Sequence, residues 1–168
     1  LQQQLIELIN RLATNQNDAA TILTKLDGCV AEVEKIRKDQ LPWHISQEQA
    51  NSLSKALNSV EHAGSKVSVH VLPSDHDSSV FGKELADTLI GIQWMNSTSY
   101  TSDFTVNPQL IGVVVLVKNP NFAPAIALLS ALKDAGFNPQ GGLDAKGERV
   151  TDDNEIQILI GSKPKSIN

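Results

Sequence analysis

The densest grouping of chemically capable side chains is Ser74-Asp75-His76-Asp77-Ser78-Ser79. Two carboxylates flanking an imidazole could hold a divalent cation through oxygen and nitrogen. The segment falls between a strand-like stretch and an apolar-periodic helix, and open α/β sheets bind ligands beyond the carboxyl ends of their strands. Ser74, Asp75, His76, Asp77 and Ser78 are therefore the candidate ligand-binding residues. The competing reading is structural, and it is the preferred one: Asp and Ser just before a helix satisfy backbone N–H groups that lack a helical partner. The same acids would repel a phosphate from that helix start. No second cluster of ligating residues stands at a suitable spacing, so neither a metal nor a cofactor is expected.

The remaining reactive residues are scattered. His44, His62, His70 and His76 form no spaced set. Gly141-Gly142 and Gly147 lack the Gly-Lys-Ser/Thr ending of a phosphate loop and do not run from a strand into a helix. A Ser–His–Asp set is not visible as a motif, because no nucleophile elbow is present. No residue is assigned a catalytic role on this reading. Trp43 and Trp94 could each anchor a partner, but the commoner use of Trp is to seal a packed joint.

Composition narrows the function further. The 168 residues carry a net charge of −5, 40% apolar and 20% charged residues, and only 4% aromatics. There is no run of Lys and Arg, so nucleic acid is not expected as a partner. One cysteine, Cys29, allows no internal disulfide and makes no zinc site on its own. It fits a reducing compartment, so the cytoplasmic side is preferred, though a lone Cys is also compatible with others. No apolar stretch is long enough to span a bilayer. The chain starts at Leu1 and not Met, so a membrane connection is expected only through a segment preceding it.

The element that would position these groups begins at the N-terminus. Leu5, Leu8, Leu12, Asn15, Ala19, Ile22, Leu26, Cys29, Val33 and Ile36 follow alternating spacings of three and four without a break, and Leu1 extends the series backward. That is the a/d seam of a left-handed coiled coil, with Leu5 at a. These ten residues are the candidate oligomer interface. Ile9, Leu23 and Val30 at e widen the stripe, which favours three or more helices or packing against the chain's own domain. An antiparallel hairpin turning at Asn15-Gln16-Asn17-Asp18 is a further alternative. Gly28 weakens the helix locally, and Leu41-Pro42 ends it.

Residues 42–168 read as a small α/β domain. Ser46 and Gln49 form a capping box before a helix carrying Ala50, Leu53, Leu57 and Val60. Val67, Val69 and Val71 alternate as a strand. Ser78 or Ser79 caps a helix with Phe81, Leu85, Leu89 and Ile92. Met95–Pro108 is a loop or a poor edge strand. The apolar run Leu110–Val117 is expected as a central strand covered on both faces. Pro124 opens a helix carrying Ile126, Leu129 and Leu132, closed by Gly136. Gln140–Asn154 reads as a flexible connector or hairpin tip. Ile156, Ile158 and Ile160 make the last strand. The expected fold is thus α/β: a coiled-coil-type helix over 1–41, then a sandwich with a mainly parallel sheet of at least three strands built by strand–helix–strand crossovers.

The order of these elements, with a last strand ending in Gly161-x-Lys163-Pro164, resembles the soluble tail of some membrane-linked bacterial proteins of unassigned function. Val67-x-Val69-x-Val71-Leu72, then Gly82, Leu85-Ala86 and Leu89, with Ile156–Gly161 closing, also resembles the C-terminal domain of LytR-type cell-wall proteins. Pro73-Ser74-Asp75 replaces the turn Asn and Gly of that second pattern, and the middle loop is longer. The resemblances imply an accessory domain on a membrane-linked protein and supply no catalytic residues. The expected function is a non-catalytic sensory, regulatory or scaffolding module that self-associates through its N-terminal helix and takes a partner protein or small ligand. The alternative is a small metal-assisted hydrolase using Asp75-His76-Asp77.

Overall fold

The computed structural model describes residues 2–102, 106, 107 and 109–165. Leu1, at the head of the heptad series, and Pro108 lie outside them. The chain divides into two compact units, one formed by the N-terminal helix and the other by Pro42–Pro164.

Helix α1 runs from Gln2 to Gln40 as 39 helical residues, about 58 Å at 1.5 Å per residue. It continues through Asn15–Asp18, so no hairpin turn forms there. It also continues through Gly28 and stops ahead of Pro42, where the residue before Pro avoids the helical region. Thr14, Thr21 and Thr24 each donate a hydroxyl proton to the carbonyl four residues back, which spends their polar groups within the helix. The apolar stripe is left uncovered: Leu5, Leu8, Leu12, Ile22, Leu26, Val33 and Ile36 are 52–66% exposed.

The second unit holds α2 (Gln47–Leu57), β1 (Lys66–Val71), α3 (His76–Gly91), a 3-10 turn at Ser97–Ser99, β2 (Tyr100–Ser102), β3 (Val113–Val117), α4 (Ala123–Asp134), β4 (Gln140–Leu143) and β5 (Glu155–Ile160). Both halves of the Ser46–Gln49 capping box are made. The five-stranded sheet has the order β2-β1-β5-β3-β4. β2, β1 and β5 are mutually parallel, β3 and β4 are parallel, and the two groups meet antiparallel at β3 and β5. The sheet is therefore mixed but mainly parallel.

Three expectations from sequence need correction. The crossover from β1 through α3 leads to the three-residue β2, not to the apolar run at β3, and β3 lies antiparallel to β1 and β5. The Gly-rich segment after α4 supplies β4, a parallel partner for β3 rather than a flexible tip. In α4 Leu132 is buried as expected, with Pro124, Ala125, Leu128 and Ala131, whereas Ile126 is 52% exposed.

One sheet face carries the core. Val67, Val69 and Val71, Ile156, Ile158 and Ile160, and Val113, Val115 and Val117 are buried, joined by Leu53, Leu57, Phe81, Leu85, Leu89, Leu128 and Leu132 from the helices. The alternate residues of β3, Val114 and Leu116, are half-buried, so this strand is fully covered on one face only. Gly82 lets α3 close onto the sheet, since a Cβ there would sit 2.2 Å from Val71 Cγ1. At the end of β5, a Cβ on Gly161 would lie 2.1 Å from the Leu110 carbonyl oxygen.

The β4–β5 connection is held by Asp144. Its carboxylate accepts the N–H groups of Val150, Arg149 and Glu148. Those hydrogen bonds, from Val150 and Arg149 foremost, hold its pKa below the ordinary aspartate value.

Two predictions arise here. Gly82→Ala should cost about 2 kcal/mol through overpacking against Val71. Gly91→Ala on the same helix, where a Cβ meets nothing within 4 Å, should be neutral or stabilising by about 0.5–1 kcal/mol. Denaturant melts of both variants check the contrast. For Asp144, a pKa lowered by folding means that its contribution is complete above the unfolded value of about 3.9 and is lost as pH falls through the lower folded value. Unfolding curves below pH 5 should show Asp144→Asn losing less stability on acidification than the parent.

Candidate functional site

The Asp75 loop is packed as a helix start. Asp75, and not Ser78 or Ser79, is the N-cap of α3, and its carboxylate accepts the Ser78 N–H at 2.9 Å. Ser78 lies one turn in and is fully buried. Its hydroxyl accepts the Leu72 N–H at 3.1 Å and donates to the Ile160 carbonyl at 2.8 Å. It thereby ties the ends of β1 and β5 to α3. The Ser79 hydroxyl donates to the Asp75 carbonyl at 3.0 Å. The structure thus brings Asp75 and Ser78 together for a backbone purpose. Ser74 and His76 are exposed and Asp77 is half-buried. Among the described residues, no group of three or more His, Cys, Asp or Glu side chains is arranged to hold a metal.

A cleft does exist, at the opposite end of the strands. It has a volume of about 510 Å³ and is lined by Ser65, Lys66, Ser68, Gln93, Asn96 and Asp152 among others. Lys66 opens β1 and Glu155 opens β5, so the cleft lies at the amino ends of the parallel strands rather than beyond their carboxyl ends.

Most charge in the cleft is already committed. Lys66 pairs with Asp152; their hydrogen bond raises the Lys66 pKa and lowers that of Asp152. Burial alone would raise Glu155, but hydrogen bonds from the Gln157 amide and from the Thr151 and Asp152 N–H groups outweigh it and leave the pKa lowered. The Trp94 indole N–H donates to the Leu57 carbonyl, 3.3 Å away.

Two features of the cleft remain unspent. Ser65 Oγ is enclosed and has no hydrogen-bond partner. Gln93 is held in the left-handed region at φ 62°, which a non-glycine residue adopts at a cost of about 1 kcal/mol or more. The Gln93 carbonyl meets His62 Nε2 at 3.2 Å, and the His62 ring stacks on Trp94 with centroids 4.6 Å apart. Sequence reasoning missed this cleft. Gln carries no signal for a left-handed turn, and the Asp152 segment reads as connector.

Ser68, which lines the cleft, has its Oγ 3.0 Å from His70 Nε2. Residues two apart on a strand share a face, which accounts for the contact.

The two tryptophans are both built into the α/β unit. Trp94 is 2% exposed, and Trp43 stacks on Phe81 with ring centroids 4.0 Å apart. The ten heptad residues remain the largest exposed apolar set. Cys29 is exposed among them. No protein-family model, curated protein or solved structure matches this chain.

The two serines give a paired prediction. Ser78→Ala leaves the Leu72 N–H without its acceptor in the core and should cost about 1–3 kcal/mol. Ser65→Ala removes a hydroxyl that bonds to nothing and should be neutral or stabilising by up to about 1 kcal/mol. Thermal melts of the two variants should therefore move in opposite directions or, at least, differ clearly in the size of the loss.

Proposed function

We propose that the chain is a self-associating, non-catalytic module. In this reading α1 joins copies of the chain, and the α/β unit takes a partner protein or small polar ligand, for which the cleft around Ser65 and Gln93 is the available recess. The observation that carries the proposal is the unbroken a/d stripe of α1, exposed along its whole length in the single chain. Soluble proteins rarely leave a contiguous apolar surface of that extent in water. Most helical stability in proteins comes from packing of an amphipathic face. A second helix of the same pattern would cover the stripe by knobs-into-holes packing. The hydrolytic alternative has less behind it, since Asp75 is spent as a helix cap.

The test is sedimentation of the full chain beside a Leu12→Glu, Leu26→Glu double variant. Both side chains are about 60% exposed in the single chain (62% and 59%), so the substitutions remove no monomer core. The parent should associate in the micromolar range. The variant should be monomeric, with its α/β unit folded as judged by near-ultraviolet circular dichroism. A monomeric parent, or a variant that keeps the parent's mass, would contradict the proposal.

A further inference from the structure

We infer that two copies of α1 pair antiparallel in full overlap, residue 5 of one beside residue 36 of the other. This rests on the self-association proposed above and adds its direction and register. The first support is layer volume. In an antiparallel coiled coil each a residue faces a d residue of the other copy. Full overlap then sets Leu5 against Ile36, Leu8 against Val33, Leu12 against Cys29, Asn15 against Leu26 and Ala19 against Ile22. Every small or polar seam residue meets a large apolar one. A parallel in-register pair instead stacks Asn15 on Asn15, Ala19 on Ala19 and Cys29 on Cys29, leaving three thin or polar layers.

The second support is charge, and it is independent of the first. Up to the last seam residue, Ile36, the g positions are Gln4, Arg11, Asp18, Lys25 and Glu32. In the full-overlap register Arg11 lies beside Glu32 of the other copy and Asp18 beside Lys25. Symmetry repeats both contacts, so each of these four charged g residues meets its opposite. Sliding by one heptad in one direction sets Arg11 against Lys25 and Asp18 against Asp18. Sliding the other way sets Asp18 against Glu32 and Lys25 against Lys25. Opposite flanking charges select partner and orientation in coiled coils, and like charges exclude the alternatives. The parallel pair uses only one such contact, Glu32 with Arg37. In the single chain Arg11 is drawn to Glu7 at 3.0 Å, with both side chains at least 66% exposed. That surface pair is weakly held, which leaves the guanidinium able to turn to Glu32. On the other flank, Ile9 lies beside Val30, which covers two of the three apolar e positions, and Leu23 lies beside the Gln16 side chain.

Disulfide trapping in the full chain reads the direction. In the antiparallel pair the two Cys29 residues are 17 residues apart along the axis (29 less its counterpart 12), about 25 Å and far beyond disulfide reach. Under mild oxidation the parent should give no covalent dimer. Leu12→Cys should give one, and Leu12→Cys combined with Cys29→Ser should not. Glu32→Arg should weaken association, and adding Arg11→Glu should restore it. Sedimentation of the same samples separates the two ideas. A parent that stays monomeric overturns self-association and this pairing together. A parent that associates but links through Cys29, or a Glu32→Arg defect that Arg11→Glu fails to rescue, overturns the antiparallel register alone.

Discussion

The α/β unit hangs on the pairing of its last strand. β5 lies at the junction of the two parallel groups, hydrogen-bonded along its length to β1 on one side and β3 on the other. Ile156, Ile158 and Ile160 are fully buried, so this strand also supplies the middle of the core. The elements around it are shaped to its end. Ser78 reaches from α3 to the Ile160 carbonyl, and Gly161 permits the Leu110 carbonyl to approach where a side chain could not fit. Lys66 pairs with Glu155 across most of the unit's sequence. Such non-local pairing delays the reward for loop closure until late in folding. The sheet is therefore completed only when the C-terminal strand has joined it.

That arrangement closes one end of the sheet and opens the other. At the carboxyl ends of β1 and β5, Asp75 and Ser78 spend their polar atoms on backbone groups. At the amino ends, the Lys66–Asp152 pair and the hydrogen-bonded Glu155 leave a polar cleft with one carboxylate in excess of its cation. The Gln93 and Asn96 side chains on its rim are exposed, whereas the Ser65 hydroxyl is enclosed beneath the surface. The apolar stripe of α1 presents a separate surface of opposite character. If α1 pairs antiparallel, the two N-termini stand more than 50 Å apart along the pair by helix rise alone. Two copies tethered at their N-termini to one membrane would then have to lay the pair along its surface.

Much of this fold was legible because periodicity and local chemistry agreed. The heptad of α1, the Ser46–Gln49 capping box, the alternating valines of β1 and isoleucines of β5, and Gly136 at φ 86° after α4 all follow from spacing or local rules. Strand direction was not legible. A five-residue apolar run such as Val113–Val117 reads the same in either orientation, and the partner that decides it lies some forty residues away in β5. β2 was legible only as a loop or poor edge strand within Met95–Pro108, because Tyr100–Ser102 is too short to show alternation, and β4 was not legible as a strand because Gln140–Leu143 is half glycine. Of the apolar residues that mark α4 in the sequence, Leu132 is buried and Leu129 packs on the core, whereas Ile126 is exposed and the small Ala125 and Ala131 are buried in its place. The candidate site was legible only as a helix cap. The cleft is lined in part by Gln93, whose left-handed φ of 62° has no sign in a single sequence.

The central claim is that the apolar stripe of α1 is covered by another copy of the chain. Amide hydrogen exchange measured over a range of protein concentrations tests it directly, because protection conferred by association follows mass action. Protection of the α1 amides between Leu5 and Ile36 should rise with concentration, while that of β5 should stay constant. Protection of α1 that is high and independent of concentration, or absent at every concentration, would contradict the account.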